Sequence, residues 1–139
     1  MKYVILIANS EKYDHYKWLR KEKKIIWSFS KYFHIQNDDI VLLYSTKNKE
    51  IKFLLNSELI LKNSNKNEIL EKMGEKELSK YKNKNFENKT SLFNMKLIKE
   101  LDLPIKLNEI RNKKIPEVLF YIEEERDSDL FKKITDLIL

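Results

Sequence analysis

The sequence contains no cysteine, which excludes a disulfide scaffold, a thiolate zinc site and a cysteine nucleophile. A reducing cytoplasm suits such a chain. Its one glycine, Gly74, cannot supply a phosphate-cradling loop, so neither a P-loop nor a dinucleotide fingerprint can be written. Two histidines, His15 and His34, argue against a metal or acid–base centre built on imidazole. No apolar run reaches about 18 residues, so no segment reads as a membrane span. The opening residues 1–7 are too short and too tyrosine-rich for a signal peptide. No cofactor and no metal are expected. By elimination the chain reads as a binding module rather than an enzyme.

What is present is charge and apolar bulk. At 139 residues the chain suits one domain, residues 1–139. Apolar residues make up 42% and charged residues 36%, enough to build a core. Lys and Arg number 28 against 22 Asp and Glu, a net charge of +6. The distribution is uneven: from Glu117 onward seven acids face three bases, a net of −4, so residues 1–116 carry +10. That basic body is where a polyanion would bind.

Periodicity supplies a coarse architecture. Residues 3–8 and 40–45 are apolar runs of strand length, rich in β-branched and aromatic side chains. The turn Lys47-Asn48-Lys49 joins the second run to a strand over 50–59, a hairpin. Tyr13, Tyr16, Trp18 and Leu19 are spaced for a helix within 11–24. Residues 62–67 read as a polar loop, and Asn67 as the cap of a helix over 68–81 that Gly74 interrupts. Residues 82–91 read as a Lys/Asn-rich loop. Phe93, Met95 and Leu97 alternate with Asn94 and Lys96 along a strand over 92–98. Pro104 and Pro116 mark turns, 117–122 reads as a strand, and 128–139 as an amphipathic helix with Leu130, Phe131, Ile134, Leu137 and Ile138 on one stripe. The fold class expected is α+β, a mixed sheet that curls or forms a small open barrel flanked by helices.

Catalytic patterns are weak. His15 and Asp14 are consecutive on a helix and do not face each other. Glu123, Glu124, Glu125, Asp127 and Asp129 read as a solvated acidic run. Trp27 is more informative, because Lys21, Lys23, Lys24 and Lys31 flank it. A ring offers a flat face for a base, worth roughly 1–3 kcal/mol per base, while ammonium groups neutralise phosphates. The plain alternative is that Trp27, Phe29 and Phe33 fill the core.

Several segments, in order, resemble a YTH domain. They are Tyr3-Val4-Ile5-Leu6-Ile7-Ala8-Asn9, then Ile26-Trp27-Ser28, then Ile40-Val41-Leu42-Leu43-Tyr44-Ser45. The stretch from Phe93 to Pro104 and Leu107-Asn108-Glu109-Ile110-Arg111-Asn112 complete the likeness. The Asn37-Asp38-Asp39-Ile40 strand entry is equally similar to EVE domains, and both groups lie in the PUA-like superfamily. The sequence departs from the YTH pattern where the cage loop would carry Trp, having Phe86 and Leu92 instead, and it lacks the glycine hairpin.

The resemblance implies a small curled barrel that captures a flipped modified base, 6-methyladenine above all, in RNA or methylated DNA. It implies Trp27 as a cage wall, Ser28 and Asn9 on the base edge, Asp14 or Tyr13 as a second polar contact, and Phe86 and Leu92 as the remaining walls. Lys21, Lys23, Lys24, Lys31, Lys82, Lys84 and Lys89 would contact phosphates. It also implies work with a larger effector, such as a restriction NTPase or nuclease. The alternatives are an EVE-like reader of modified cytosine, a PUA-like RNA binder without modification specificity, and a protein-interaction module docking through residues 128–139. A small hydrolase is the poorest fit.

Overall fold

The structure, a computed structural model, describes residues 1–11, 13–29, 35–76, 90–106, 116 and 118–138. Within them six strands form one sheet in the order β2-β5-β4-β3-β1-β6. The strands are β1 (Lys2–Ala8), β2 (Lys24–Phe29), β3 (Ile40–Ser45), β4 (Glu50–Ser64), β5 (Thr90–Lys106) and β6 (Leu119–Glu123). Three helices accompany them: α1 (His15–Glu22), α2 (Lys66–Met73) and α3 (Ser128–Ile138). β1 and β3 run parallel, Tyr3 opposite Ile40 through Ala8 opposite Ser45. The other pairings are antiparallel. The molecule is α+β with a mixed sheet that does not close among the described residues.

Both faces of the sheet centre are covered, which explains the unbroken apolar run of β1. Tyr3, Ile5 and Ile7 pack beneath α3 with Phe131, Ile134 and Ile138. Val4, Leu6 and Ala8 pack on the α1 side with Leu19, Phe53 and Leu55. Tyr3 stacks on Phe131 at 4.5 Å between ring centroids, and its hydroxyl hydrogen-bonds Thr135 Oγ1 at 2.5 Å. The apolar stripe expected of the last helix is therefore buried against its own sheet. Leu137 alone of that stripe stays exposed, at 44%, so the helix offers no continuous apolar face to a partner.

Several boundaries differ from the sequence expectations for identifiable reasons. Residues 24–29 form a strand where periodicity assigns no element after the helix within 11–24. One residue, Lys23, makes the junction, in the left-handed conformation (φ 62°), with its N–H returned to Leu19 O. β4 continues through Ser64 because β5 is long enough to pair with it. Asn65 rather than Asn67 caps α2, in a reciprocal capping box with Glu68. Gly74 ends that helix after Met73, at φ 78°, a backbone state that L side chains resist. Pro104 sits inside β5 rather than at a turn. It lies where the register slips between Ile51 and Phe53 of β4, so no ladder donor is lost.

Candidate nucleic-acid interface

The parallel pair β1/β3 gives the molecule two chemically different ends. At the carboxyl ends of these strands the chain turns twice. The Ala8 carbonyl accepts from Ser10 N and from Thr46 N, both at 3.0 Å, stitching the β1–α1 loop to the β3–β4 turn. Ser45 Oγ donates to Ser10 Oγ at 2.9 Å and accepts from Asn48 N at 3.2 Å. Between loop and turn lies a recess of about 240 Å³ lined by Ser10, Glu11, Tyr13, Asp14, Tyr16, Lys47 and Asn48. Pockets for drug-sized ligands run to about 300–1,000 Å³, so this recess suits a smaller group, of the size of one base.

α1 sets the walls. Asp14 caps it, its side chain accepting from Lys17 N at 3.1 Å. Arg20 holds its far end by a two-pronged pair with Glu100 of β5, at 2.9 and 3.0 Å. The Arg20 guanidinium also lies over the Tyr16 ring at 5.6 Å, and that ring meets Phe53 edge-on at 4.9 Å. Burial pushes the Tyr16 phenol above its usual 10, and the Glu50 charge adds to the rise. The polar side chains of Asn48 and Ser45 and the charge of Arg20 pull the other way. Tyr16 therefore presents a neutral hydroxyl at neutral pH.

A chain of rings leads from the recess to Trp27. Tyr13 meets His15 at 4.7 Å, edge to face, and His15 meets Trp27 at 5.4 Å. His15 is buried, at 6% exposure. Trp27 is half-buried, joined to the α1-side core, and stands two ring contacts behind the recess rather than in its lining. Tyr13 also lies parallel to Trp18, within 7°, at 6.3 Å.

The residues singled out in the sequence are thus distributed as follows. Tyr13 and Asp14 line the recess, whereas exposed Asn9, directly after β1, is not among its lining residues. Ser28 and Leu92 are paired across β2 and β5, as are Trp27 and Phe93. Successive residues alternate faces, so Leu92 stands on the sheet face away from Trp27. It is fully buried there with Ile26 and Ile69, which corrects its expected place as a wall beside Trp27. Lys21 and Lys23 are exposed at the end of α1, and Lys24 is half-buried at the start of β2. Phe86, Lys31, Lys82, Lys84 and Lys89 lie outside the described residues.

Sequence reasoning missed Ser10, Tyr16, Ser45, Lys47 and Asn48. The signal for them was topological: a polar turn following each of two apolar runs becomes one site only when those runs are parallel neighbours.

At the opposite, amino-terminal end of the pair lies a larger recess, about 500 Å³, lined by Lys2, Asp38, Asp39 and Glu123 to Glu125 among others. Lys2 Nζ is 3.9 Å from Asp39. Among the described residues no group of His, Asp and Glu is placed to hold a metal ion.

No family model matches the sequence, and no curated protein matches it either. Solved structures do. The chain is similar to ASCH from Zymomonas mobilis, with a TM-score of 0.66 and 16% identity over 95% of this chain and 94% of that one. A single-substitution variant of that protein superimposes with a TM-score of 0.70, at 18% identity and 99% coverage of both chains. A hypothetical protein from Leishmania major follows at 0.58 and 15% identity, covering 98% of this chain and 96% of that one. At these identities the shared property is architecture. What is shared is the α+β fold of ASCH from Zymomonas mobilis.

Proposed function

We propose that this protein is a nucleic-acid-binding module that seats one unstacked base in the recess between the β1–α1 loop and the β3–β4 turn. The observation that carries the reading is the continuity of that recess with an aromatic array, Tyr13 to His15 to Trp27, on a chain of net charge +6. Tyr13 and Tyr16 supply flat apolar surface. Asp14, Asn48 and Ser10 supply the mixed donors and acceptors a base edge requires. Lys47 and exposed Lys17 and Lys49 stand where phosphates would follow. The resemblance of the sequence to PUA-like domains supports the same reading. Binding is proposed to leave the nucleic acid chemically unchanged.

Taking a base out of a stack costs a few kcal/mol in a duplex and less in a single strand, so single strands are the favoured ligand. The test is a binding isotherm with single-stranded RNA and DNA across salt. Phosphate contacts make log K fall linearly with log salt, steeply between about 50 and 200 mM. Tyr13→Ala should weaken binding to all sequences while leaving the thermal transition in place. A flat salt dependence, or wild-type affinity in Tyr13→Ala, sinks the proposal.

A finer form of the proposal names the base as 6-methyladenine, with Trp27 backing the recess through His15 and Tyr13 and a larger effector acting on the bound site. Its support is the resemblance of the Trp27 and Phe93 segments to YTH domains. A methyl group pressed on a ring adds about 0.8 kcal/mol. Matched oligonucleotides differing by one methyl decide it: equal affinity ends the methyl-reading form and leaves the general one.

A further inference from the structure

We infer that Trp18 and Tyr13 form a second stacking platform, which takes the nucleotide next to the captured base and makes the ligand a single strand rather than a lone base. The inference rests on the nucleic-acid reading above. Trp18 was accounted for in the sequence only as part of a helical pattern; it packs against the α1-side core only in part and is not on the fully buried side of α1. That side is carried by His15 and Leu19, while Trp18 is half-buried between exposed Lys17 and Lys21.

Three observations point to a base. The planes of Trp18 and Tyr13 are parallel within 7°, with centroids 6.3 Å apart. A planar group lying flat on Trp18 is therefore aligned with one packed on Tyr13, as successive bases of a single strand are. Tyr13 is shared: it walls the recess and faces Trp18, so the platform adjoins the first site without a gap. Finally, Lys21 Nζ lies over the Trp18 ring at 5.5 Å. An exposed lysine can hold its ammonium there only if that ring face borders solvent, and the same ammonium is placed to meet the phosphate that links two nucleotides. Exposed Lys17 and Lys23 extend the positive charge along the helix.

Stacking on an aromatic side chain is tolerant of base identity, because every base has a π-face. The platform should therefore add affinity with little sequence preference, leaving any selectivity to the recess. The experiment measures binding of adenosine monophosphate and of single-stranded oligoadenylates of increasing length to the full chain and its variants. Wild type should gain affinity from mono- to dinucleotide. Trp18→Leu, which keeps apolar packing but removes the π-face, should lose roughly 5- to 150-fold on dinucleotides and longer strands with mononucleotide binding unchanged. Trp18→Phe should restore most of the loss. Lys21→Gln should lower the salt slope by about one.

A wild type that gains nothing with length overturns the second platform, as does a Trp18→Leu variant that matches wild type at every length. In both cases the recess stands. A wild type that binds no nucleic acid at all overturns the proposed function together with this inference.

Discussion

Tyr16 shows how one side chain couples site chemistry to stability. Its phenol is raised above 10 by burial first and by the Glu50 charge second, and Tyr44 is raised by burial. A folded-state value above the unfolded one favours the folded state while the group is protonated. That contribution is fully present below about pH 10 and is lost as pH rises through the folded value. Thermal melts between about pH 8 and pH 11 should show a falling Tm at the alkaline end, and Tyr16→Phe should blunt the fall. An unchanged alkaline slope in that variant would show the phenol to be energetically silent. Tyr16 also marks a limit of reading single residues. The sequence presents it as one of several helix-spaced aromatics, and only the approach of the β3–β4 turn gives it a polar environment. Trp27, the residue most noticeable in the sequence, lies behind the recess, because its strand pairs Trp27 with Phe93 at the edge of the core.

At the scale of elements, two local devices fix α1 and α2. The Asn65–Glu68 capping box satisfies backbone donors at the start of α2, Glu68 N to Asn65 at 2.9 Å and Asn65 N to Glu68 at 3.2 Å. Asn65→Ala should cost about 1 kcal/mol in urea unfolding, and an unchanged midpoint would show that packing of Ile69 alone holds the helix. The Arg20–Glu100 pair ties α1 to β5, and Lys52 stands 3.8 Å from the same carboxylate. The hydrogen bonds from Arg20 hold the Glu100 carboxyl below its usual 4.5. A depressed carboxyl stabilises the fold above that value, and the contribution is lost as pH falls through the folded one. Glu100→Gln should therefore flatten the acid side of the stability profile below about pH 4.5, by a small amount because both partners are partly solvated. The elements most legible in the sequence are those whose pattern needs no partner to interpret. β1 and β3 declare themselves as apolar runs, and α3 by its stripe. β2 and the far halves of β4 and β5 were less visible. Their residues are strand only because a neighbouring strand is present, and pairing partners distant in sequence leave no local mark.

For the whole molecule the governing feature is the acidic cluster at the amino-terminal end of β1 and β3, on a chain of net charge +6. Seven residues of strand at about 3.3 Å each put roughly 20 Å between the carboxyl-end recess and the acidic one. Replacing Glu124 and Glu125 by Gln should raise the association rate with single-stranded RNA at low salt by a few-fold and leave the dissociation rate nearly unchanged. Stopped-flow measurements over a salt series check this, and a change confined to dissociation would mean that the acidic end contacts the ligand. The asymmetry was legible as the net −4 of the last segment. Its spatial meaning was not, because Asp38 and Asp39 join Glu123 to Glu125 only through the strand order.

A particle of net positive charge whose acids are gathered at one end experiences torque in the field of a polyanion before any contact is made. Drifting toward a strand of phosphates, it turns as a compass needle does, leading with the β1–α1 loop and trailing the glutamates. Fewer collisions are wasted on the wrong side, so capture by the right end depends on long-range orientation as well as on fit.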